Sequence, residues 1–350
     1  MKFRRIIYAF LGLFLFILGI VLLKDSAEFL LPLFETYISY VDSPIASLGF
    51  GWSLSYVMLS GAPPAILSLN LLHMGVLTRF SSYMMVMGTR LGAAFILIVI
   101  GLIEYFRGKS ESLVDSTSLA FLSFIITYTV FIPALFLGLL FLGPLEGLAV
   151  YSPGAVVFGI GSFFELFTSR IIGLVGALPS FFVSFVMLIF GLNVFNKAFK
   201  NIEVHQFKSS FISFAMRRKW FSFFIGVGIT LIAASVSISL GILVPLYNMG
   251  YLERRNLIPY ILGANVATFI SHFVASMLLE SSVAFNVVLA AALSSILITL
   301  IFLYFYDWYS EIVKRTINFI LLRTKFLLLF VVFLIVLPVS MVLIGVIFGY

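Results

Sequence analysis

Residues 59–95 read LSGAPPAILSLNLLHMGVLTRFSSYMMVMGTRLGAAF, and residues 233–269 read AASVSISLGILVPLYNMGYLERRNLIPYILGANVATF. Both stretches contain a break made of serine and small residues, then Met-Gly, and then a glycine-rich segment. Four pairs of similar residues are all 175 positions apart without a gap: Gly51 and Gly226, Ser55 and Thr230, Gly75 and Gly250, Gly88 and Gly263. This spacing predicts a chain built from two copies of one module.

The composition places this module in a lipid bilayer. Hydrophobic residues make up 62% of the chain and charged residues 10%, and the mean hydropathy is +1.20. A protein of this composition could not be kept soluble by its own surface. Apolar runs of roughly the 20 residues that cross a bilayer include Ile6–Leu23, Ser81–Tyr105, Leu119–Leu142, Leu257–Leu279, Val283–Tyr306 and Phe326–Phe348. We therefore predict an all-α, polytopic integral membrane protein.

The amino-terminal segment begins with basic residues and an apolar body, as a signal peptide does. The body is long and no A-x-A-like cleavage site follows Leu23, so we predict a retained first helix. The chain has no cysteine, which excludes disulfides, thiolate metal sites and cysteine nucleophiles. The net charge of +7 comes from basic residues in the loops between spans. The positive-inside rule explains them better than a nucleic-acid partner, and we expect none.

The charges of the loops predict how the two copies are oriented. Lys2, Arg4 and Arg5 place the amino terminus in the cytoplasm of a multi-pass cell-membrane protein. The connection from Lys24 to Asp42 contains four acidic residues and one lysine, whereas the equivalent connection from Lys197 to Lys219 contains six basic residues and one glutamate. Opposite charge biases predict opposite sides of the membrane, and hence two inverted-topology repeats.

The stretches Ile45–Leu77 and Phe221–Met249 can each form one broken crossing or a re-entrant hairpin. A hairpin in the second copy keeps Arg254 and Arg255 inside, whereas a single crossing puts them outside, so the charges favour hairpins. With hairpins, Ala155–Leu178 must not cross an odd number of times, and we expect it to be re-entrant or interfacial. The predicted units are repeat 1 at 1–106, connecting segments at 107–178, repeat 2 at 179–293 and carboxyl-terminal helices at 294–350.

The backbone breaks point to a site inside the membrane. Pro63 and Pro64 remove two backbone N–H donors in the first copy. In the second copy, the serines around Ser235 and Ser237 predict a weaker break of the helix. Broken backbone in a bilayer is tolerated only where protein or water supplies hydrogen bonds. For one copy, a simple hairpin turn explains the break equally well. Breaks at matching places in both copies favour a substrate site near the midplane.

The glycine-rich segments Gly88–Gly92 and Gly263–Ala267 are predicted to open helices, where exposed amides attract anions. Close packing of helices explains the glycines equally well. Arg90 and Asn265 occupy equivalent positions within these segments. An arginine in a membrane core is costly and is a functional candidate.

Several roles for Arg90 remain open at this point. Arg90 can clamp an anion, or stand where a related protein holds a cation. It can also snorkel, or pair with Glu104 or Glu280. His73 and His272 have no second histidine or carboxylate at helical spacing, which argues against a metal site. We expect polar lining or hydrogen bonds between helices, with proton carriers as the alternative. No HExxH, GxSxG or P-loop pattern is present, so we predict neither an enzyme nor catalytic residues.

These residues resemble the sodium/phosphate cotransporter family of type II and its prokaryotic relatives. Phe14-Leu15-Phe16 with Gly19 resembles the family's LFLFG-like first helix, and Met249–Leu252 resembles its A-G-L-L turn. Leu262–Thr268 is similar to its G-A-N-I-G-T-T segment. The family's Gln-Ser-Ser-Ser falls on Leu59–Ala62 and on Ala234–Ser237, so only three of its residues correspond to serines here: Ser60, Ser235 and Ser237.

The resemblance implies a secondary-active transporter of a small inorganic anion, with phosphate as the first candidate, working by alternating access. Sodium as the coupling ion is the family expectation, with no other cofactor. The expected substrate site comprises Ser60, Arg90, Ser235, Ser237, Asn265 and Thr268, beside the breaks at Pro63 and Pro64. The alternative from another class is a non-transporting membrane scaffold or sensor that retains the transporter fold. A homo-oligomer is compatible with the sequence.

Overall fold

The computed structural model describes residues 2–37, 42–106, 113–146, 155–198, 216, 218–233, 236–241, 243, 247, 254–321 and 324–348. This part of the chain forms helices joined by short turns and contains no strand. The helices are α1 (Lys2–Phe29), α2 (Leu31–Tyr37), α3 (Pro44–Val57), α4 (Ala62–His73), α5 (Arg79–Gly92), α6 (Phe95–Phe106), α7 (Leu113–Glu146), α8 (Ala155–Val175), α9 (Ala177–Lys197), α10 (Lys219–Ala233), α11 (Val236–Gly241), α12 (Arg254–Ala267), α13 (Phe269–Leu278), α14 (Ser282–Tyr304), α15 (Tyr306–Leu321) and α16 (Thr324–Phe348).

The apolar helices are long enough to cross a bilayer. Among the described residues, seven helical stretches qualify by length and composition: Arg4–Phe29, Arg79–Ile103, Thr117–Glu146, Ala177–Phe195, Arg254–Leu278, Ser282–Tyr304 and Leu329–Phe348. Large apolar side chains such as Leu140, Phe182 and Val332 are exposed on these helices. A water-soluble protein would bury most of them, whereas a membrane protein exposes them to lipid. The prediction of an all-α polytopic membrane protein is confirmed.

The two copies build the same packed pair of helices. Helices α5 and α12 begin 175 positions apart and also end 175 positions apart. Glycines hold each pair close together. A Cβ at Gly51 or at Gly226 would overlap the carbonyl oxygen of the equivalent partner residue, Met85 in the first copy and Tyr260 in the second. The duplicated spacing in the sequence therefore corresponds to a duplicated contact in the structure.

The paired helices run in the same direction. The Oγ of Ser55 donates to the carbonyl of Thr89, and the Oγ of Ser222 donates to the carbonyl of Asn256; both pairs of residues are 34 positions apart. The glycine contacts of Gly51 and Gly226 have this same separation, and a constant separation means parallel helices. The chain must therefore reverse between α3 and α5, and α4 makes this return as the second arm of the predicted hairpin.

Pro63 and Pro64 do not interrupt a helix. They lie in the first turn of α4, where the missing N–H groups would have had no helical partner. The break itself precedes them, at residues 58–61. In the second copy α11 is the described part of the returning arm.

The two helix pairs run in opposite directions along the central helix α7. On the first pair, Tyr83 donates to the carbonyls of Ala134 and Leu135, while Trp52, at the level of Gly88 and Gly92, packs on Tyr128. The first pair is thus antiparallel to α7. On the second pair, Asn265 contacts Thr127 and Phe269 packs on Phe131, so α12 and α13 run parallel to α7.

Some elements differ from the sequence-based expectations. Helix α1 continues to Phe29, so the acidic connection begins as helix rather than as loop. The apolar run Ser81–Tyr105 forms two helices separated at residues 93–94, and Leu257–Leu279 is divided at Thr268. Helix α8 is continuous and is not among the candidate spans. The proposed unit boundary after residue 293 falls inside α14.

Candidate functional site

Arg90 is the centre of a buried polar cluster. It lies in the last turn of α5, and only 4% of its surface is exposed. Its Nη1 donates to Oγ1 of Thr268 at 2.8 Å, and its Nη2 lies against the backbone of Gly61. Arg90 therefore joins the hairpin break of the first copy to the helix junction of the second copy.

The predicted helix starts at Gly88 and Gly263 are wrong. Gly88–Gly92 forms the end of α5, and Gly263–Ala267 forms the end of α12. The last turn of a helix presents carbonyl groups and a partial negative charge, which favours a cation such as Arg90 and disfavours an anion held by backbone amides. The glycines instead allow close packing, because a Cβ at either Gly88 or Gly263 would overlap a carbonyl oxygen of the neighbouring helix.

Thr268 and Asn265 lie at the junction between α12 and α13. The Oγ1 of Thr268 accepts from Arg90 and donates to the carbonyl of Asn265 at 2.8 Å. The Nδ2 of Asn265 donates to Oγ1 of Thr127 on α7 at 3.3 Å. The structure thus brings together three of the predicted site residues, Arg90, Asn265 and Thr268, and adds Thr127. No sequence pattern pointed to Thr127, which is 138 positions from its partner.

The other predicted site residues are placed less completely. Ser60 is half-buried in the turn between α3 and α4, next to the Gly61 that Arg90 touches. Ser235 lies outside the described residues. Ser237 belongs to α11, and the structure does not describe its side chain.

His272 is a buried member of the cluster that is absent from the predicted substrate site. Its Nδ1 lies 3.1 Å from Oγ of Ser271, and its ring is 5.7 Å from the ring of Phe269. The Cζ of Arg90 is 5.9 Å from the centre of that same ring. The spacing of Asn265, Thr268 and His272, at i, i+3 and i+7, is the signal that could have placed them on one helix face.

The charge of Arg90 has no acidic partner among the described side chains. Glu280 does not pair with it, and the side chain of Glu104 lies outside the described part of the chain. The described ion pairs, such as Arg79 with Glu146 at 2.5 Å, lie at partly exposed positions. A buried charge without a counter-ion is strongly unfavourable. The cluster is therefore suited to receive an anion.

Comparison with known proteins gives one match. The model of the family described as Na+/Pi-cotransporter matches residues 187–345, a segment that contains Asn265, Thr268 and His272. No curated protein and no solved structure matches the chain. The match confirms the resemblance seen in the sequence motifs, and that family is one of transporters rather than enzymes. Together with the seven apolar helices of the described residues, the match supports a multi-pass membrane transporter.

Proposed function

The match over residues 187–345 supports membership of the chain in the Na+/Pi-cotransporter family, and on this premise we propose that it is a secondary-active transporter of a small anion, with inorganic phosphate as the first candidate. The observation on which the proposal rests is the buried guanidinium of Arg90. Its charge is unpaired among the described side chains, and it lies where the two copies meet. An anion in contact with Arg90 would supply the missing counter-charge.

The arrangement of the two copies supports alternating access. Each copy contributes a parallel helix pair with a returning arm, and the two pairs run in opposite directions along α7. Opposite directions in the fold, together with the opposite loop charges, support inverted repeats in the membrane. Movement of one copy against the other would then open the central cluster to each side in turn.

We propose sodium as the co-transported ion. The ends of α5 and α12 at residues 92 and 267 present the carbonyl groups that a sodium ion prefers. Because Asn265 donates through Nδ2 to Thr127, its Oδ1 is the side-chain oxygen that it could offer to the ion. At the equivalent position of the first copy, Arg90 already supplies a fixed positive charge. This asymmetry supports a sodium site on the second copy only.

The test is uptake of labelled phosphate into proteoliposomes, with and without an inward sodium gradient. We expect uptake that sodium stimulates. Arg90→Ala should reduce it at least about tenfold, because the anion loses a charged hydrogen-bond donor. The matched control is Arg79→Ala on the same helix, since Arg79 pairs with Glu146 at the helix start, away from the cluster.

The competing function is a membrane scaffold or sensor that keeps the fold without transport. It predicts no uptake under any gradient. It also predicts that Arg90→Ala stabilises the protein, since removal of an unpaired buried charge would then raise the free energy of unfolding. Equal loss of uptake in Arg79→Ala and Arg90→Ala would contradict a specific role for Arg90.

A further inference from the structure

Two nitrogen atoms in the buried cluster have no hydrogen-bond partner among the described residues: Nε of Arg90 and Nε2 of His272. Their side chains are 4% and 0% exposed, so bulk water does not satisfy them. Both side chains lie within 6 Å of the centre of the Phe269 ring, which places them around the same aromatic side chain. Buried polar atoms without a protein partner are groups that a bound molecule can satisfy.

The two atoms differ in what they can offer. Nε of Arg90 is always a donor. For His272 the answer follows from Ser271, whose single hydroxyl proton is donated to the carbonyl of Thr268 at 3.0 Å. With that proton donated to the carbonyl of Thr268, the Oγ of Ser271 accepts from Nδ1 of His272, and on this basis we assign the imidazole proton to Nδ1. In a neutral ring, Nε2 is consequently an acceptor.

We assign the neutral state to the imidazole on electrostatic grounds. A second positive charge beside the guanidinium of Arg90 would be repelled in this dry environment, and no described carboxylate pairs with either group. The cluster therefore presents one unpaired donor and one unpaired acceptor. A single ligand that satisfies both must itself contain an acceptor and a donor.

We propose that this site selects an oxyanion that retains a proton, and that His272 is the residue that makes the selection. The inference rests on the proposed function and specifies its substrate class. Near neutral pH, phosphate and arsenate keep at least one proton: a charged oxygen accepts from Nε of Arg90 while a hydroxyl donates to Nε2 of His272. Sulfate has no proton, so its oxygen would face the lone pair of Nε2 and leave both unsatisfied.

The first experiment is competition against labelled phosphate uptake by the full-length protein in proteoliposomes at neutral pH. Unlabelled phosphate and arsenate should inhibit at similar concentrations. Sulfate should be weaker by about 10- to 100-fold, the usual consequence of an unmatched buried hydrogen-bonding group. Inhibition by sulfate at the same concentration as phosphate would overturn the selection mechanism and leave phosphate transport standing. Absence of phosphate uptake would contradict the proposed function itself, and this inference with it.

Variants of His272 assign the selection to that residue. His272→Ala should bring the inhibition constants of sulfate and phosphate within about threefold of each other, while His272→Gln, which keeps an acceptor oxygen, should retain most of the discrimination. The matched control is His73→Ala, because His73 is exposed at the end of α4 and should not alter the ratio. If His272→Ala does not fold, competition by sulfate in the parent and in His272→Gln still tests whether the site discriminates phosphate from sulfate. If the ratio of the inhibition constants of sulfate and phosphate is unchanged in both variants, a group other than His272 recognises the protonated oxyanion.

Discussion

Leu59 has a φ of +50° at the end of α3, in a conformation that glycine adopts more easily than other residues. Its N–H bonds the carbonyl of Tyr56 and the next N–H bonds that of Ser55, which is the pattern of a helix-ending turn. The strain lies two residues before Gly61, which touches Arg90. Strained backbone is retained where the surrounding structure requires it, often at functional sites.

This strain gives a prediction at the scale of one residue. Leu59→Gly should raise the free energy of unfolding by about 1 kcal/mol, because the left-handed conformation costs roughly that much for a residue with a Cβ. Val57→Gly, also exposed but helical, should lower it by roughly 0.5–1 kcal/mol. Thermal unfolding in detergent measures both. Equal destabilisation by the two variants would show that Leu59 is not strained.

The types of the site residues could be predicted from sequence better than their roles. Arg90, Asn265 and Thr268 stand out because charged and amide side chains are costly in apolar helices, and the structure brings them together. The acceptor role of His272 was not predictable, since it depends on where the proton of Ser271 goes. The contact between Thr127 and Asn265 is tertiary and leaves no local signal.

The elements show which sequence signals are ambiguous. The 175-residue spacing correctly predicts two equivalent helix pairs, because the residues that pack are the residues that repeat. The prediction of helix starts at the glycine-rich segments is wrong, because glycine serves close packing as readily as it serves a helix start. The sequence Gly88–Gly92 alone does not distinguish a helix start from a packing surface. The distinction comes from the structure, where carbonyl groups of α3 lie against these glycines.

The packing role of these glycines can be tested in the second copy. Gly263→Val should cost about 1–3 kcal/mol of stability or more, because its side chain would overlap the carbonyl of Phe223. The control is Gly228→Val on α10, where an added Cβ meets nothing within 4 Å. Melting temperatures in detergent should fall for the first variant and stay near that of the parent for the second. Similar melting temperatures for both variants would contradict the close approach of α10 and α12.

At the scale of the whole molecule, loop charge and helix direction agree. With the amino terminus inside, α1 ends outside and the first helix pair enters from outside. The second pair, which runs oppositely along α7, enters from inside. The charges of the loops predict the same orientation. They are independent of the helix contacts, because different residues carry the two signals.

Single cysteines test this orientation, because the chain has none of its own. Glu35→Cys on α2 should react with a membrane-impermeant maleimide from outside in intact cells. Arg315→Cys on α15, where the parent side chain is 79% exposed, should react only after permeabilisation. Labelling of Arg315→Cys in intact cells would contradict the proposed topology.

The contact between α1 and α9 has a consequence for the origin of the chain. Gly19 faces Leu188 and Gly191 faces Phe16; each residue of one pair is 172 positions from its counterpart in the other. Equivalent residues of the two helices therefore make reciprocal contacts, as in a two-fold symmetric dimer. A half-length ancestor that inserted into the membrane in both orientations would have joined its two chains through this surface. Fusion of two such chains in one gene would need only to keep this contact.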